Sequence, residues 1–423
     1  MLDVTYIRNN TKRVKEGMKN KGEDQPEIVD QLLEVDESWR ALVKETDDLR
    51  SESNTKAQKI GELMGKGNKE EAQEIIAYTS KLKEKIKEKE VQLNSLKEER
   101  TDLLLRIPNV PHESVPVGHS EDENEVFKTW GEPLKDENLK PHWVLVEEQG
   151  WIDFERGAKV TGAGFPFYIG PVAKLQRALI NYFLNKATDE GYTELQVPYF
   201  VNEDSARGTG QIPDKEDMMY EIPRDEFFAI PTAEVPVTNF HRDEILDNDD
   251  LPIYYAAYTP CWRREAGSYG KDVRGLNRLH QFDKVELVKL VHPDAAYDEL
   301  ESLRAYAESL LEELKIPYRT LLMCTGDMGF TQTKKYDLEV WSPAQERWLE
   351  VSSCSNFGGF QARRMMLRYR NDEGETEILH TLNGSGLALP RIVAAILEIY
   401  QQEDGSIKVP EVLQPFMGTD VIN

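Results

Sequence analysis

The sequence predicts an α+β protein, in which a largely antiparallel β-sheet flanked by helices follows an N-terminal antiparallel coiled-coil hairpin of two helices. Three observations lead to this prediction. Residues 27–107 carry a heptad pattern and not a single proline, which is typical of a coiled coil. Residues 65–68 (GKGN) interrupt that pattern with the composition of a turn. From about residue 131 onwards, helix-like and strand-like segments do not alternate regularly, which disfavours a doubly wound parallel sheet and favours an antiparallel one.

The hairpin prediction rests on two heptad series, 32–63 and 75–107, in which steps of three and four residues alternate. Two helices joined by a tight turn fold back antiparallel, and the two series then face each other along their whole length. Each arm has roughly 36 residues and is roughly 54 Å long, at about 1.5 Å per residue. Trp39 comes to lie opposite Arg100, which predicts a cation–π contact.

Charge is distributed unevenly along the chain. The whole chain has 52 basic and 77 acidic side chains and a formal net charge of −25, which speaks against a general polyanion binder. The distal half of the hairpin, residues 53–89, nevertheless has nine lysines against six glutamates. A protruding rod with a basic end suggests a device that reaches a polyanion. The alternative is a solvated coiled coil that serves as a spacer or a dimer contact.

Several classes of protein are disfavoured by what the sequence lacks. No apolar run approaches the ~18 residues of a membrane span, and the first residues show no basic segment followed by an apolar stretch. The cysteines Cys261, Cys324 and Cys354 suit neither a disulfide framework nor a CxxC metal site. No complete dinucleotide, P-loop, nucleophile-elbow or HExxH motif occurs. We therefore expect a cytoplasmic protein with no membrane partner.

The predicted domain organisation has three parts. Residues 1–107 form an N-terminal domain, whose hairpin arm covers about 29–105. Residues 108–130 are rich in proline and acidic groups and are predicted to be a linker. Residues 131–423 form the globular domain, in which 364–370 is one of the predicted strands.

Arginines and carboxylates on strand-like segments are the strongest chemical signal in the sequence. Segment 258–286 reads as two strands that bracket a loop rich in glycine and basic residues. Alternation along an extended chain places Arg263 and Glu265 on one face of the first strand. The same alternation puts three residues of the second strand on a common face: Phe282, Lys284 and Glu286.

Two further clusters belong to this signal, residues 350–353 (EVSS) and residues 383–385 (NGS), which lead to Arg391. Arginines on a rigid sheet suit the bidentate recognition of phosphate. A carboxylate with a nearby hydroxyl suits Mg²⁺, which prefers oxygen ligands. Together the clusters predict a nucleotide–Mg²⁺ site, although each arginine taken singly is better explained by an ordinary ion pair.

These residues carry a resemblance to a known family. The stretch CWRREAGSYGKDVRGLNRLHQFDKVE (261–286) resembles motif 2 of the class II aminoacyl-tRNA synthetases, in the form found in seryl-tRNA synthetases. LHTLNGSGLALPR (379–391) resembles motif 3, and Pro198 stands where motif 1 has its proline. The N-terminal hairpin resembles the long arm of the bacterial-type enzymes, so the resemblance covers essentially the whole chain.

The resemblance implies an ATP-dependent ligase that attaches L-serine to serine tRNA through a seryl-adenylate, and to selenocysteine tRNA where that tRNA is present. Residues 131–423 would be the catalytic domain and residues 1–107 the tRNA-binding domain. The implied assembly is a homodimer, in which the arm of one subunit grips the tRNA bound to the other. The implied partners are ATP, L-serine and serine tRNA, with Mg²⁺ as the cofactor.

The resemblance also assigns roles to individual residues. Arg263 and Arg391 match the catalytic arginines, at the α-phosphate and near the γ-phosphate. The implied ATP-binding set is Arg263, Arg264, Glu265, Leu279, Phe282, Glu350, Val351, Ser352, Ser353 and Arg391. Glu350 and Ser353 match the metal-binding pair, which holds Mg²⁺ together with ATP. The implied serine-binding set is Thr232, Ala233, Glu234, Arg263, Glu286, Asn383 and Ser385. Glu234 and Glu286 would share the ammonium and the hydroxyl of serine, in an order that the sequence leaves open.

Basic residues are implied to contact tRNA at two places: Lys56, Lys59, Lys81 and Lys85 of the arm, and Lys271 and Arg274 of the motif 2 loop. Three competing interpretations remain weaker. Another class II synthetase usually has a C-terminal anticodon domain, and only 32 residues follow Arg391 here. A ligase that loads a carrier protein typically lacks the arm. A non-catalytic scaffold would not need Arg263, Glu265 and Arg391.

Overall fold

The computed structural model describes residues 1–136, 138–213, 217–265 and 274–423. The helices of this described part are α1 Val4–Asn9, α2 Thr11–Asn20, α3 Ile28–Gly65, α4 Lys69–Leu105, α5 His142–Gln149, α6 Phe154–Val160, α7 Gly170–Asp189, α8 Glu203–Thr209, α9 Glu234–Thr238, α10 Ala296–Glu313, α11 Phe360–Met365, α12 Leu389–Ile399 and α13 Gln414–Met417. Its strands are β1 Glu125–Trp130, β2 Ile152–Asp153, β3 Phe167–Tyr168, β4 Thr193–Glu194, β5 Phe200–Asn202, β6 Tyr220–Ile222, β7 Phe227–Ala229, β8 Ile245–Asp247, β9 Ile253–Trp262, β10 Gln281–Val291, β11 Tyr318–Leu322, β12 Lys334–Ser342, β13 Arg347–Asn356, β14 Arg368–Arg370, β15 Thr376–Ile378, β16 His380–Ala388, β17 Ile407–Lys408 and β18 Val421–Ile422.

The described chain divides into two compact units. One consists of residues 2–19 and 23–108, and the other consists of Met1, residues 20–22 and residues 109–423. The smaller unit contains the long helices α3 and α4, and the larger unit contains all of the strands of the described part. Each unit has its own set of buried apolar side chains.

Helices α3 and α4, of 38 and 37 residues, form the predicted antiparallel hairpin. Gly67 adopts a positive φ of 82° in the turn between them, a conformation that glycine adopts without strain. Lys89 of α4 forms an ion pair of 2.8 Å with Glu45 of α3. The guanidinium of Arg100 lies 4.8 Å from the ring centroid of Trp39. This contact confirms the predicted register at the base of the hairpin.

A buried carboxylate also holds the base of the hairpin together. The Asp36 side chain is 1% exposed and accepts hydrogen bonds from Arg8, Arg40 and Arg100 at 2.7–2.9 Å. Burial alone would raise the pKa of Asp36, but the three guanidinium groups outweigh burial and hold that pKa below its usual value. A buried charge is tolerated here because each of its oxygens is hydrogen-bonded to a cation.

The larger unit is built on an eight-stranded sheet with the order β1-β11-β12-β13-β16-β10-β9-β4. Every neighbouring pair is antiparallel except β4 and β9, which are parallel. This arrangement confirms the predicted fold class. Strand β1 lies within the segment predicted to be a linker, where it pairs with β11. That part of the segment therefore belongs to the sheet, although its sequence has the composition of a linker.

Helices α7, α10 and α12 supply much of the core against this sheet. Leu179 of α7, Leu303 of α10 and Ile396 of α12 are completely buried and belong to one apolar cluster. Gly384 of β16 allows close packing of α10, because a Cβ at this position would lie only 3.1 Å from Leu303. Among the helices of the described part, none is long and apolar enough to span a membrane.

The predicted strand at 364–370 is wrong for most of its length. Helix α11 covers its first residues, Met366 follows with a φ of 53°, and β14 begins at Arg368. Arg364 donates hydrogen bonds to the carbonyls of Arg207 and Ile212 at 3.1 and 3.3 Å. These tertiary contacts stabilise a helical turn that a short window of alternating residues does not reveal.

Candidate active site

A cavity of about 570 Å³ lies where β9, β10, β13 and β16 meet the start of α12. Nine of the ten residues predicted to bind ATP line it: Arg263, Glu265, Leu279, Phe282, Glu350, Val351, Ser352, Ser353 and Arg391. They come from four separate segments of the chain, which the antiparallel sheet brings side by side. The volume lies within the usual range for small-molecule sites.

Arg263 follows the last residue of β9 and points into this cavity. Its Nε donates a hydrogen bond of 3.3 Å to the carbonyl of Pro231, and its guanidinium lies 5.2 Å from the ring centroid of Phe282. Glu265 also lines the cavity and accepts a hydrogen bond of 3.2 Å from Arg278. Its φ of 48° shows that the strand has already ended, so strand alternation is not the reason why Arg263 and Glu265 come together.

Arg391 enters the cavity from the first turn of α12. Its Nε donates a hydrogen bond of 3.0 Å to the carbonyl of Asn277, and a terminal nitrogen donates to the carbonyl of Glu350. Both acceptors are uncharged, so they orient the guanidinium without neutralising it. An oriented cation on a cavity wall is suited to bind an anionic group such as a phosphate.

Glu350 lines the same cavity and is an exposed residue. The surrounding protein opposes its ionisation, but the positive charges of Lys335, Arg391 and Arg263 outweigh that effect and hold the pKa of Glu350 below its usual value. Among the ion pairs of the described residues, none within 4 Å involves this carboxylate. It is therefore an ionised group that remains available to a ligand.

Oxygen donors near Glu350 fit a hard divalent cation. Ser353 lines the cavity and faces Asp337 across the β12–β13 ladder. Asp337 is 5% exposed, and its Oδ1 has no hydrogen-bond partner, while Oδ2 pairs with Lys335 at 2.9 Å. Carboxylate and hydroxyl oxygens are ligands that Mg²⁺ prefers. The described residues contain no group of three or more His, Cys, Asp or Glu side chains arranged to hold a metal.

A cluster of buried polar side chains lies next to Ser385, which lines the cavity and faces Glu286 in the β10–β16 ladder. Glu286 is 2% exposed and accepts hydrogen bonds from Thr232 at 3.1 Å and Lys284 at 2.6 Å. Glu234 is 8% exposed and accepts a bond of 2.7 Å from Gln361. Burial, reinforced by the charge of Glu286, raises the pKa of Glu234 to about 7.

The other residues predicted to bind serine are buried in the same region. Ala233 is completely buried, and Asn383 is 7% exposed on β16. The hydroxyl of Ser352 donates a hydrogen bond of 2.8 Å to the carbonyl of Ser385. This bond connects the strand that carries Glu350 with the strand that carries the predicted serine ligands.

Arg264 is the one predicted ATP ligand that does not line the cavity. Its Nε forms an ion pair of 3.1 Å with Asp217, and its guanidinium lies 6.0 Å from the ring centroid of Tyr220. The backbone N–H of Arg263 donates to the carbonyl of His280 and that of Arg264 donates to the carbonyl of Met218, both at 2.9 Å, so the two residues contact different segments. The assignment of Arg264 to the ATP-binding set stays a prediction.

Among the described residues predicted to contact tRNA, Lys56 is half-buried and the others are exposed. Lys59, Lys81 and Lys85 are exposed on the hairpin, and the Lys56 ammonium lies 5.5 Å from the ring centroid of Tyr78. Arg274 is exposed in the larger unit. Lys271 lies outside the described residues.

Three residues of the site were not assigned a role from the sequence. Lys284 lines the cavity and pairs with Glu286, and its signal was its position on the same face as Phe282. Asp337 approaches Ser353 through strand pairing, which a single sequence does not reveal. Asn277 acts through its backbone carbonyl on Arg391, for which no side-chain pattern exists.

Comparisons with known proteins agree with this geometry. A family model described as the tRNA synthetase class II core domain (G, H, P, S and T) matches residues 219–400, and one described as the seryl-tRNA synthetase N-terminal domain matches residues 1–111. The chain is 60% identical to the serine–tRNA ligase of Salinibacter ruber over 99% of its own length and 98% of that protein. It is 51% identical to the serine–tRNA ligase of Geobacillus kaustophilus over the full length of both.

A solved structure shows the same fold. The seryl-tRNA synthetase of Pyrococcus horikoshii complexed with ATP superposes with a TM-score of 0.92 at 37% identity, covering 100% of this chain and 99% of that protein. Two matching family models, near-complete coverage and a cavity lined by the motif 2 and motif 3 arginines lead to the same result. The chain belongs to the seryl-tRNA synthetase family.

Proposed function

We propose that this chain attaches L-serine to serine tRNA in two ATP-dependent steps, through a seryl-adenylate, and that it also serylates selenocysteine tRNA where that tRNA is present. One observation carries the proposal. Arg263 and Arg391 line a single cavity, and Ser385 on its wall pairs with Glu286, which is buried together with Glu234 in a polar cluster. An anion-binding cavity beside a small polar pocket suits a nucleotide and a hydroxylated amino acid.

In this proposal ATP occupies the cavity. Arg263 binds the α-phosphate, Phe282 stacks on adenine, and Arg391 binds near the γ-phosphate. Glu350 and Ser353 hold Mg²⁺ together with ATP, and the ion when bound neutralises charge on the phosphates. The carbonyls that orient Arg391 support this role, because they direct its charge without cancelling it.

The first step needs no nucleophile from the protein. The serine carboxylate attacks the α-phosphorus in line, an oxygen–phosphorus bond forms, and pyrophosphate leaves with the electron pair of the broken bond. Catalysis is then positioning of the two reactants and stabilisation of developing charge by Arg263 and Arg391. In the second step a terminal ribose hydroxyl of tRNA attacks the carbonyl carbon of the mixed anhydride. An ester bond forms, the bond to the phosphate oxygen breaks, and AMP leaves with its electron pair while a phosphate oxygen of the adenylate takes the hydroxyl proton.

Serine is selected by polar groups that other amino acids would leave unpaired. Glu234 and Glu286 share the ammonium and the hydroxyl of serine, and Thr232 and Ser385 complete the pocket. Alanine would leave a buried acceptor without a donor, which costs more than the loss of one contact. Glu286 supports this role because it is buried and because Thr232 and Lys284 both approach its Oε2, which leaves Oε1 to accept a hydrogen bond from the substrate.

The remaining assignments follow the family. Residues 1–107 bind tRNA through the arm, residues 131–423 carry out catalysis, and the arm acts across a homodimer in the cytoplasm. The exposed lysines at the end of the hairpin support an electrostatic contact with a polyanion.

Serine-dependent ATP–pyrophosphate exchange tests the first step. Glu286→Ala should abolish exchange while circular dichroism shows an intact fold, because the pocket loses its central acceptor. Glu373→Ala, which changes an exposed glutamate of the same unit, should behave like the wild type. Undiminished exchange in Glu286→Ala, or faster exchange with another amino acid than with serine, would contradict the proposal.

Deletion of residues 29–105 tests the arm. The deleted protein should retain serine-dependent exchange, because the cavity lies in the other unit, but should lose the charging of total tRNA. Charging with radiolabelled serine is the measurement. Retained charging would refute the role of the arm, but it would leave the proposal that the cavity binds ATP unaffected.

A further inference from the structure

A buried histidine–glutamate pair lies outside the residues that line the cavity. His142 begins α5 and Glu398 lies near the end of α12, and both side chains are completely buried. His142 Nδ1 lies 2.7 Å from Glu398 Oε1, which also accepts the backbone N–H of His142 at 3.1 Å. The hydroxyl of Ser342 donates to Glu398 Oε2. A buried pair this well hydrogen-bonded has one defined arrangement.

The hydrogen bonds determine the protonation state of the imidazole. The backbone N–H of Leu276 donates to His142 Nε2 at 2.9 Å. Since a backbone N–H can only donate, Nε2 must accept, and the ring proton must sit on Nδ1 and point at Glu398. The ring is therefore neutral. Its acceptor nitrogen, Nε2, binds the backbone of the segment that follows the motif 2 loop.

Gly275 allows this approach. Its φ is 61°, and a Cβ at this position would lie 2.3 Å from His142 Nε2. Only glycine therefore allows the backbone to reach the imidazole without displacement. The close contact and the hydrogen bond to Leu276 are two separate observations that place the same segment against His142.

A second route leads from the pair to the cavity. Gln345 Nε2 donates to Glu398 Oε1 at 3.2 Å, and Asn277 Nδ2 donates to Gln345 Oε1 at 2.8 Å. The carbonyl of Asn277 is the acceptor for Arg391 Nε. Leu276 and Asn277 both line the cavity.

We propose that the His142–Glu398 pair positions the wall of the ATP cavity formed by residues 275–278 and, through the Asn277 carbonyl, the guanidinium of Arg391. The proposal rests on the function proposed above, since it assumes that Arg391 binds ATP. His142 and Glu398 are positioning residues that do not touch the substrate. Loss of the Nε2 acceptor leaves the Leu276 N–H unsatisfied and releases the carbonyl that holds Arg391.

Two amide substitutions separate positioning from simple stability. The amide of His142→Gln reaches the place of Nε2 and keeps an acceptor for Leu276, whereas the shorter amide of His142→Asn reaches the place of Nδ1 and keeps only the donor to Glu398. His142→Asn should raise the KM for ATP in pyrophosphate exchange by about tenfold, the size that one buried hydrogen bond supports. The KM for serine should stay within about twofold, and His142→Gln should restore most of the affinity for ATP.

The affinity for a non-hydrolysable ATP analogue, measured by calorimetry, does not depend on turnover. It should be lower for His142→Asn than for His142→Gln, in the same order as the KM values predict. Ser342→Ala is the matched control, because it removes a hydrogen bond from the far side of Glu398. It should lower the melting temperature without a selective effect on ATP. If His142→Asn does not fold, Gln345→Ala replaces it and should raise the KM for ATP about threefold by interrupting the second route.

Arg391→Ala measured in parallel distinguishes the two proposals. If Arg391→Ala binds ATP normally, the proposed role of Arg391 fails. If Arg391→Ala loses ATP while folded His142→Asn, or Gln345→Ala in its place, keeps the wild-type KM, the positioning inference is overturned. Equal losses for ATP and serine, in proportion to the loss of melting temperature and identical for the Gln and Asn variants, would overturn it as well.

Discussion

Asp36 in the helical hairpin and Glu350 in the sheet unit are both carboxylates surrounded by cations, but only Glu350 remains open to a ligand. Asp36 is buried and accepts hydrogen bonds directly from three arginines. The cations near Glu350 are committed elsewhere, because Lys335 pairs with Asp337 and Arg391 donates to carbonyls. A carboxylate that is hydrogen-bonded directly to cations stabilises the fold. A carboxylate whose neighbouring cations have other partners remains able to bind a ligand.

Glu350→Gln is expected to have the largest effect, on the rate of pyrophosphate exchange. It tests whether the Glu350 carboxylate serves a ligand rather than the fold. Loss of the charge should lower the rate of exchange by about 10²–10³-fold, as for other groups that stabilise charge in a transition state. The melting temperature should stay close to that of the wild type, because an exposed carboxylate without an ion pair contributes little stability.

Exchange rates at several Mg²⁺ concentrations, with thermal unfolding of the same samples, are the measurements. Unchanged exchange, or a large loss of stability, would show that Glu350 belongs to the fold and would break the comparison.

Asp36→Asn makes the same change from carboxylate to amide at the buried carboxylate of the hairpin. Here we expect a loss of stability and no loss of exchange activity. Three guanidinium groups lose their common partner, so the free energy of unfolding should fall by about 2 kcal/mol, less than for a fully buried pair because the arginines are partly exposed. Exchange should remain at the wild-type rate. Denaturant unfolding measures the first quantity, and a variant as stable as the wild type would refute the structural role of Asp36.

The smallest expected effect is a pH dependence of the KM for serine, which arises from Glu234. Its pKa is raised to about 7 by burial and by Glu286, so its carboxyl gains a proton as the pH falls below 7. An ammonium group binds the ionised form, so the KM for serine should rise by up to about tenfold per pH unit below 7 if Glu234 contacts that ammonium.

The KM for ATP should not follow this profile, which provides an internal control. Glu234→Gln should remove the pH dependence of the KM for serine between pH 6 and 8. A flat profile in the wild type would instead place the ammonium of serine on Glu286, and this outcome would sharpen the description of the pocket.

Local patterns were sufficient for much of the fold. The heptad series predicted the hairpin and the Trp39–Arg100 contact, because coiled-coil packing depends on a repeat that is visible in the sequence. The strands β9 and β10, which bracket the motif 2 loop, were also anticipated. The segment 364–370 was predicted wrongly for most of its length, since tertiary contacts of Arg364 favour a helical turn there. The strand β1 was hidden in a segment with the composition of a linker.

The candidate site also combines residues that local sequence patterns predicted with residues that only tertiary contacts revealed. Residues of motifs 2 and 3 were recognised by type and spacing, and nine of the ten predicted ATP ligands line one cavity. Arg264 lies beside Asp217 and Tyr220 and does not line the cavity, so its assignment to ATP stays a prediction. Asn277 and the His142–Glu398 pair were absent from the prediction, since they act through a backbone carbonyl and through a hydrogen bond between residues 256 positions apart in sequence.

The sequence by itself determined the hairpin, the antiparallel character of the sheet and the chemical types of the side chains at the site. Periodicity and residue type are local properties, and they carry that information directly. Only the tertiary structure decided which carboxylates are closed by cations and which remain open, because the ionisation and the availability of a charge depend on burial and on partners that the chain brings together from distant positions.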